Sequence, residues 1–224
     1  MAGFIGPKIP GVTNGLVAYY DAALTYTSGS TIWYDGINGN NGTLINGPTF
    51  SSDGRGSIVF DGTDDYVGSI NLGITFSNIT FSCWVKRTGL QDAYVGLMLS
   101  GGTNSNSGIG IMTTGKIWPF WRGNLWDHDS NLSIADQTWT MVTVVFNSGT
   151  VNFYTNVNSE TPSTGTSTTY SGTSAFPDLQ IGKDRGFSTR TINGNIAYAS
   201  VYDRGLTVAE ITQNYNALKS RFNL

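Results

Sequence analysis

Between positions 15 and 205 the chain carries no helical periodicity; apolar and polar residues alternate in short runs, each broken by Gly, Asn, Asp or Ser. A stretch patterned with period two buries its apolar side chains as strands that turn one face to a core and the other to water. In residues 151–157, Val151, Phe153, Thr155 and Val157 share one face while Asn152, Tyr154 and Asn156 share the other, which marks a half-exposed antiparallel strand. The preceding run, residues 139–146, is apolar on both faces and reads as a central strand, with Asn147-Ser148-Gly149-Thr150 as the hairpin between the two. Roughly a dozen such strands at this spacing predict a two-sheet sandwich. A chain of 224 residues is long enough to build it as one domain with a sizeable core.

One segment departs from the pattern. After a long strand at 192–202 and a corner at Asp203-Arg204-Gly205, residues 206–222 place Val208, Ile211, Tyr215, Leu218 and Phe222 at intervals of three and four. One stripe of a helix therefore faces a core. Thr207 stands where an N-cap belongs, Glu210 three residues later closes a capping box, and Leu206 can staple onto Ile211. The expected fold class is all-β with one C-terminal α-helix.

Residues 192–211 read Ile-Asn-Gly-Asn-Ile-Ala-Tyr-Ala-Ser-Val-Tyr-Asp-Arg-Gly-Leu-Thr-Val-Ala-Glu-Ile, which closely resembles the closing motif of laminin-G-like, concanavalin A-type jelly rolls. At the other end, residues 15–21 (Gly-Leu-Val-Ala-Tyr-Tyr-Asp), Trp33-Tyr34-Asp35, residues 38–46 and residues 57–67 (Ser-Ile-Val-Phe-Asp-Gly-Thr-Asp-Asp-Tyr-Val) look like the opening strands of the same family. The resemblance covers residues 15–222, in the middle only as a strand pattern, and implies a two-sheet antiparallel jelly-roll sandwich. The Asn-Gly-Thr-Leu and Phe-Asp-Gly-Thr-Asp-Asp-Tyr phrases are similar to modules in structural proteins of tailed bacteriophages. Residues 15–224 are expected to form the laminin-G-like jelly-roll domain. Residues 1–14, with Pro7 and Pro10, are expected to be an extended arm outside it.

With 29 Gly and only 12% charged residues, against about 25% in an average protein, the surface is expected to be neutral and polar. A formal charge of −3, with the 12 basic residues scattered, gives no footprint for nucleic acid or an anionic membrane. No segment reaches membrane-spanning length, and the first twenty residues lack a basic start and an apolar run. The expectation is a chain without a signal peptide, made in the host cytoplasm and carried in a virion. Cys83 is the lone cysteine, so no intramolecular disulfide forms, and its alternation with Ile79, Phe81 and Val85 predicts a buried, inert thiol. The Ser/Thr/Gly-rich residues 161–173 read as an exposed connection.

Catalysis finds little support in the residue inventory. Retaining glycoside hydrolysis needs two carboxyl groups roughly 5 Å apart, and the related glucanases supply them from a Glu-x-Asp-x-Glu strand. This chain has two glutamates, Glu160 in a loop and Glu210 in the capping box. Its one histidine, His128, sits in Trp126-Asp127-His128-Asp129; it cannot build a multi-histidine metal site and reads as a solvated loop residue. No Gly-x-Ser-x-Gly elbow supplies a nucleophile. Some laminin-G-like domains carry calcium on loop carboxylates, and Asp61, Asp64 and Asp65 are close enough in sequence to offer oxygens to such a cation. The same residues suit a hairpin turn for backbone reasons, and that turn is the expectation; no cofactor or metal is assigned.

Two segments are candidates for binding. Trp118, Trp121 and Trp126 place three of six tryptophans within nine residues, beside Arg122, Asn124 and His128. Planar aromatic faces suit sugar C–H groups, and the polar residues suit hydroxyls. Alternation sends Trp118 and Phe120 to one side and Trp121 to the other, so core packing, a protein contact and a sugar platform all remain open. The second segment is the arm, where Phe4, Ile5 and Ile9 are apolar on a stretch that Gly and Pro keep irregular, so they need a partner surface. These readings predict a non-catalytic virion structural protein, either a capsid decoration or a tail fibre or spike. Its partners would be other virion proteins and host-surface polysaccharide, and its sandwich edges permit a homo-oligomer. The alternative is a lectin-like glycan-binding module outside any virion.

Overall fold

The computed structural model describes residues 9–73, 75–100, 107–184 and 187–224. Two large antiparallel sheets stack face to face around the main core, and among the described residues a single α-helix, Val208–Leu218, lies on the outside of the larger sheet over a second, smaller core. The larger sheet has nine strands, centred on Thr140–Asn147, Ile79–Arg87 and Asn193–Tyr202. Leu16–Asp21 also pairs with Asn193–Tyr202. The seven-stranded sheet runs in the order Ile117–Phe120, Ser107–Ile111, Val95–Ser100, Leu179–Ile181, Tyr66–Ile70, Gly42–Ile45 and Ile32–Trp33. This is the expected all-β jelly-roll sandwich. The described residues hold more strands than the roughly one dozen expected from spacing, because many are pieces of two or three residues at the sheet edges.

Ile79–Arg87 shows how alternation builds two cores from one strand. Ile79, Phe81, Cys83 and Val85 point between the sheets, where Cys83 is fully buried and burial pushes its thiol up to about 12. Trp84 points the other way and meets the helix stripe, stacking on Phe222 at 4.1 Å and on Tyr215 at 5.6 Å. Ile211, Tyr215, Leu218 and Phe222 are all buried there, each stabilising by roughly 1.5–3 kcal/mol relative to exposure. Thr207 caps the helix in a complete capping box with Glu210, as its sequence requires. Val208 departs from the expected stripe: it occupies the first turn, overhangs the sheet and is 47% exposed. The regular helix ends at Leu218, and Lys219–Phe222 tightens into a 3-10 turn that brings Phe222 down onto Trp84 and Trp139. A second 3-10 turn, Asp53–Arg55, interrupts the span expected to lack helix.

The hairpin at Asn147–Thr150 forms as expected, with Ser148 at φ 50° and Gly149 at φ 80°, the left-handed pair that a two-residue turn between twisted strands needs. The turn at residues 61–65 does not join a hairpin. Ser57–Asp61 belongs to the larger sheet and Tyr66–Ile70 to the smaller, so the chain crosses from one layer to the other there. Residues 161–173 are more than a connection: Ser163–Thr164 and Thr168–Thr169 pair with the edge strand Thr150–Asn156 and cover its open hydrogen-bonding groups.

Of the expected arm, residues 1–8 lie outside the described residues, Phe4 and Ile5 among them. Residues 9–14 do not project. Val12 is buried against the helix, its N–H donates to Asn214 Oδ1 at 2.8 Å, and its carbonyl accepts from the Tyr202 hydroxyl at 3.1 Å. Ile9 is half-buried on the same layer, so its apolar side chain is covered by its own domain.

Candidate functional site

With one outer face sealed by the helix, the seven-stranded side carries the surface features. Its edge strand Ile117–Phe120 sets Trp118 opposite Gly110 and Phe120 opposite Gly108. Both aromatic rings turn outward over residues that have no side chain to obstruct them. A Cβ at Gly110 would run into the Trp118 indole. Trp118 is nevertheless fully buried, because Phe120 (5.1 Å) and Tyr94 (5.8 Å) close over it edge to face.

Tyr94 also packs edge-on against Trp126 at 5.8 Å, and Trp126 is 48% exposed. On the far side of Tyr94, the Arg190 guanidinium lies over its ring at 5.2 Å and over the Phe187 ring at 3.6 Å, while Asp184 holds Arg190 Nη1 at 3.0 Å. Phe187 is 42% exposed. The result is a surface strip running Phe187, Arg190, Tyr94, Trp126, founded on buried Trp118. Sequence reasoning found Trp118 and Trp126 but missed Tyr94, Phe187 and Arg190. These lie on loops far apart in the chain, with no periodicity to link them.

Trp121 points inward. It is 2% exposed, stacks on Phe146 at 4.9 Å, meets Tyr170 at 4.7 Å, and its indole N–H donates to the Ser171 carbonyl at 3.0 Å. Beyond it Arg122-Gly123 makes a two-residue turn in which Trp121 and Asn124 exchange both backbone hydrogen bonds at 3.0 Å. Arg122 (φ 51°) and Gly123 (φ 78°) are both left-handed, the requirement of this tight turn. The turn and residues 169–171 of the facing loop border an open cavity of about 360 Å³, lined also by Leu125 and Asn124. Trp121, Arg122 and Asn124 therefore meet in one cavity. Trp118 and Trp126 belong to the neighbouring strip.

His128 belongs to neither and is not a solvated loop residue. Its Nε2–H donates to the Thr166 carbonyl at 2.8 Å and its ring stacks on Phe153 at 5.4 Å, so it pins the 121–131 loop to the 161–173 segment. Among the described residues no carboxylate lines the cavity. Glu160 is paired with Lys219 and Glu210 with Arg204, each at 2.6 Å, and neither faces a second carboxylate there.

Ligand oxygens of Asp61, Asp64 and Asp65 lie within 4.8 Å of one another at the sheet-crossing turn. Their hydrogen bonds are those of the turn itself: Asp61 accepts from the Thr63 N–H at 2.8 Å, and buried Asp65 accepts from the Asp61 N–H at 3.2 Å. The Thr63 N–H holds the Asp61 carboxyl below its usual range, while burial pushes that of Asp65 up.

Residues 61–212, more than half of the chain, match the family described as the concanavalin A-like lectin/glucanases superfamily. No curated protein sequence matches. Among solved structures, domain 4 of AbnA, a GH43 extracellular arabinanase from Geobacillus stearothermophilus in complex with arabinotriose, is similar at TM-score 0.67 and 17% identity, over 89% of this chain and 97% of that one. Trypanosoma rangeli sialidase in complex with sialic acid is similar at TM-score 0.66 and 14% identity, over 98% of this chain but 36% of the sialidase. The botulinum neurotoxin serotype D binding domain is similar at TM-score 0.64 and 14% identity, over 90% of this chain and 51% of that one. At such identities the likeness is one of fold.

Proposed function

Because this chain belongs to the concanavalin A-like lectin/glucanases superfamily, we propose that it is a carbohydrate-binding module that acts without catalysis. The carrying observation is the strip of Phe187, Arg190, Tyr94 and Trp126 beside an open cavity, on the face the helix leaves uncovered. Exposed rings of this size are costly to leave in water, and a sugar's C–H face covers them while Arg190, Asn124 and Ser171 remain for its hydroxyls. Among the described residues no carboxylate pair lines the cavity to cleave a glycosidic bond. Arabinanase domain 4, matched over almost its whole length, is recorded in complex with arabinotriose, which makes a sugar an apt ligand for the shared architecture.

Trp126→Ala should weaken binding to an immobilised glycan array by about 1–3 kcal/mol and leave the melting temperature nearly unchanged, because the ring is half in solvent. An array that retains neither protein would end the carbohydrate reading. Release of reducing ends from bound polysaccharide would end the non-catalytic one. The setting we propose is a bacteriophage particle, supported by the phrases at residues 41–44 and 60–66. There the strip would hold host-surface polysaccharide, and residues 1–8 would meet neighbouring virion chains. Particles found by mass spectrometry to lack this chain would overturn that setting and leave the sugar reading standing.

A further inference from the structure

Arg122 is placed with more care than a solvated arginine needs. Its backbone is held in the left-handed region, at φ 51°, by a buried hydroxyl pair: Ser107 Oγ accepts the Arg122 N–H at 2.8 Å and is itself bonded to Ser174 Oγ at 2.6 Å. Its guanidinium passes over Gly172, at φ 75°, where a Cβ would collide with Nη1. A glycine on the facing loop thus leaves the room in which the guanidinium sits.

The charge itself is unspent. Arg190 is paired with Asp184, Arg204 with Glu210 and Arg221 with Asp21. The Arg122 guanidinium makes no hydrogen bond or ion pair with any described residue. Among the described residues it is the only charged group lining the cavity, whose other polar groups are neutral: Asn124, Thr169, Tyr170 and Ser171. A planar guanidinium with its donors free is matched to a planar, doubly accepting anion, and a carboxylate fits that fork better than any neutral group does. The volume of about 360 Å³ stands near the small end of the roughly 300–1,000 Å³ range of ligand pockets and suits one sugar residue. Leu125 lines the cavity and Trp126 follows it in sequence, so a sugar chain leaving the cavity has the aromatic strip next to it.

We propose that this cavity receives an acidic sugar and that Arg122 is the counter-ion of its carboxylate, a specificity that rests on the carbohydrate-binding reading above. The test is an array carrying uronate-, sialate- and pyruvate-bearing glycans beside neutral and sulfated ones, followed by calorimetry on the retained members. Wild type should retain carboxylated glycans, with affinity falling as salt rises. Arg122→Gln should lose roughly ten- to a hundredfold on these members, the range of a hydrogen bond to a charged group. Arg122→Lys should recover only part of that loss, because the ammonium keeps the charge without the fork. Trp126→Ala should weaken carboxylated and neutral members alike.

Equal binding of neutral and carboxylated glycans, or of sulfated and carboxylated ones, would overturn the proposal. Unchanged binding by Arg122→Gln would do the same. In each of those cases retention that still depends on Trp126 leaves the carbohydrate module intact, whereas an array that retains nothing removes both.

Discussion

Glu210 serves two structures with one carboxylate. Its Oε2 accepts from the Thr207 N–H at 2.9 Å to close the capping box, and its two oxygens take the Arg204 guanidinium at 2.6 and 2.9 Å. Hydrogen bonding to Arg204 holds its carboxyl down at about 2 from a usual 4.5. A carboxyl with its folded pKa depressed stabilises the fold above the unfolded value, and that stability is lost as pH falls from about 4.5 toward 2. Glu210→Gln should therefore cost about 1–2 kcal/mol at pH 7, less than the full linkage value because the pair is partly open to solvent. Melting curves of the two proteins should converge by pH 2. A gap that stays constant from pH 7 to pH 2 would show that the charge plays no part. The capping box was visible in the sequence because Thr207 and Glu210 sit three apart. The Arg204 fork was not, since it depends on how the corner at residues 203–205 folds back.

At the scale of elements, legibility followed periodicity. Intervals of three and four located the buried Ile211, Tyr215, Leu218 and Phe222, and alternation placed Cys83 inward and Trp84 outward. Val208 fits the same intervals yet stands in water, because spacing cannot say where a helix begins to overhang its sheet. Asn214, polar by type, is buried between Val12 and the Tyr202 hydroxyl, so the helix also fastens residues 9–14. Loop assemblies have no period at all. Tyr94, Phe187 and Arg190 join Trp126 only once three separate loops are folded together, and His128 finds Phe153 and Thr166 in the same way. The helix gives a quantitative check on what was legible. Tyr215→Ala, which removes the ring stacked on Trp84, should cost about 2–5 kcal/mol, and Thr207→Ala about 1 kcal/mol. Urea titrations that reversed this order would show that capping, and not packing, holds the helix.

Across the whole molecule the two ends of the chain lock the face opposite the aromatic strip. Asp21, on the first strand, is fully buried; it accepts the Tyr19 hydroxyl at 3.0 Å, and both of its oxygens take Arg221 Nη1, at 2.8 and 2.7 Å. Arg221 also donates to the carbonyls of Gly54 at 3.2 Å and Gly56 at 3.1 Å, so one guanidinium ties the first strand, the turn at residues 53–55 and the final 3-10 turn. Burial and the Asp21 charge together push the Tyr19 phenol far above its usual range, so it stays a donor at any pH the fold survives. Taking both charges out of water costs nearly what their attraction returns, and such a pair is felt chiefly when it is broken. Arg221→Leu should cost about 3–5 kcal/mol, because it strands the Asp21 carboxylate in a dry site. Adding Asp21→Asn to that variant should recover part of the loss. The two substitutions should therefore be non-additive in a double-mutant cycle. Additive losses in denaturant would mean that the ends are held by packing alone. Glycan retention per folded molecule should be unchanged in all of these variants, since no residue of the strip or lining the cavity is a partner of Asp21 or Arg221; a fall in retention would show that the two sites are coupled.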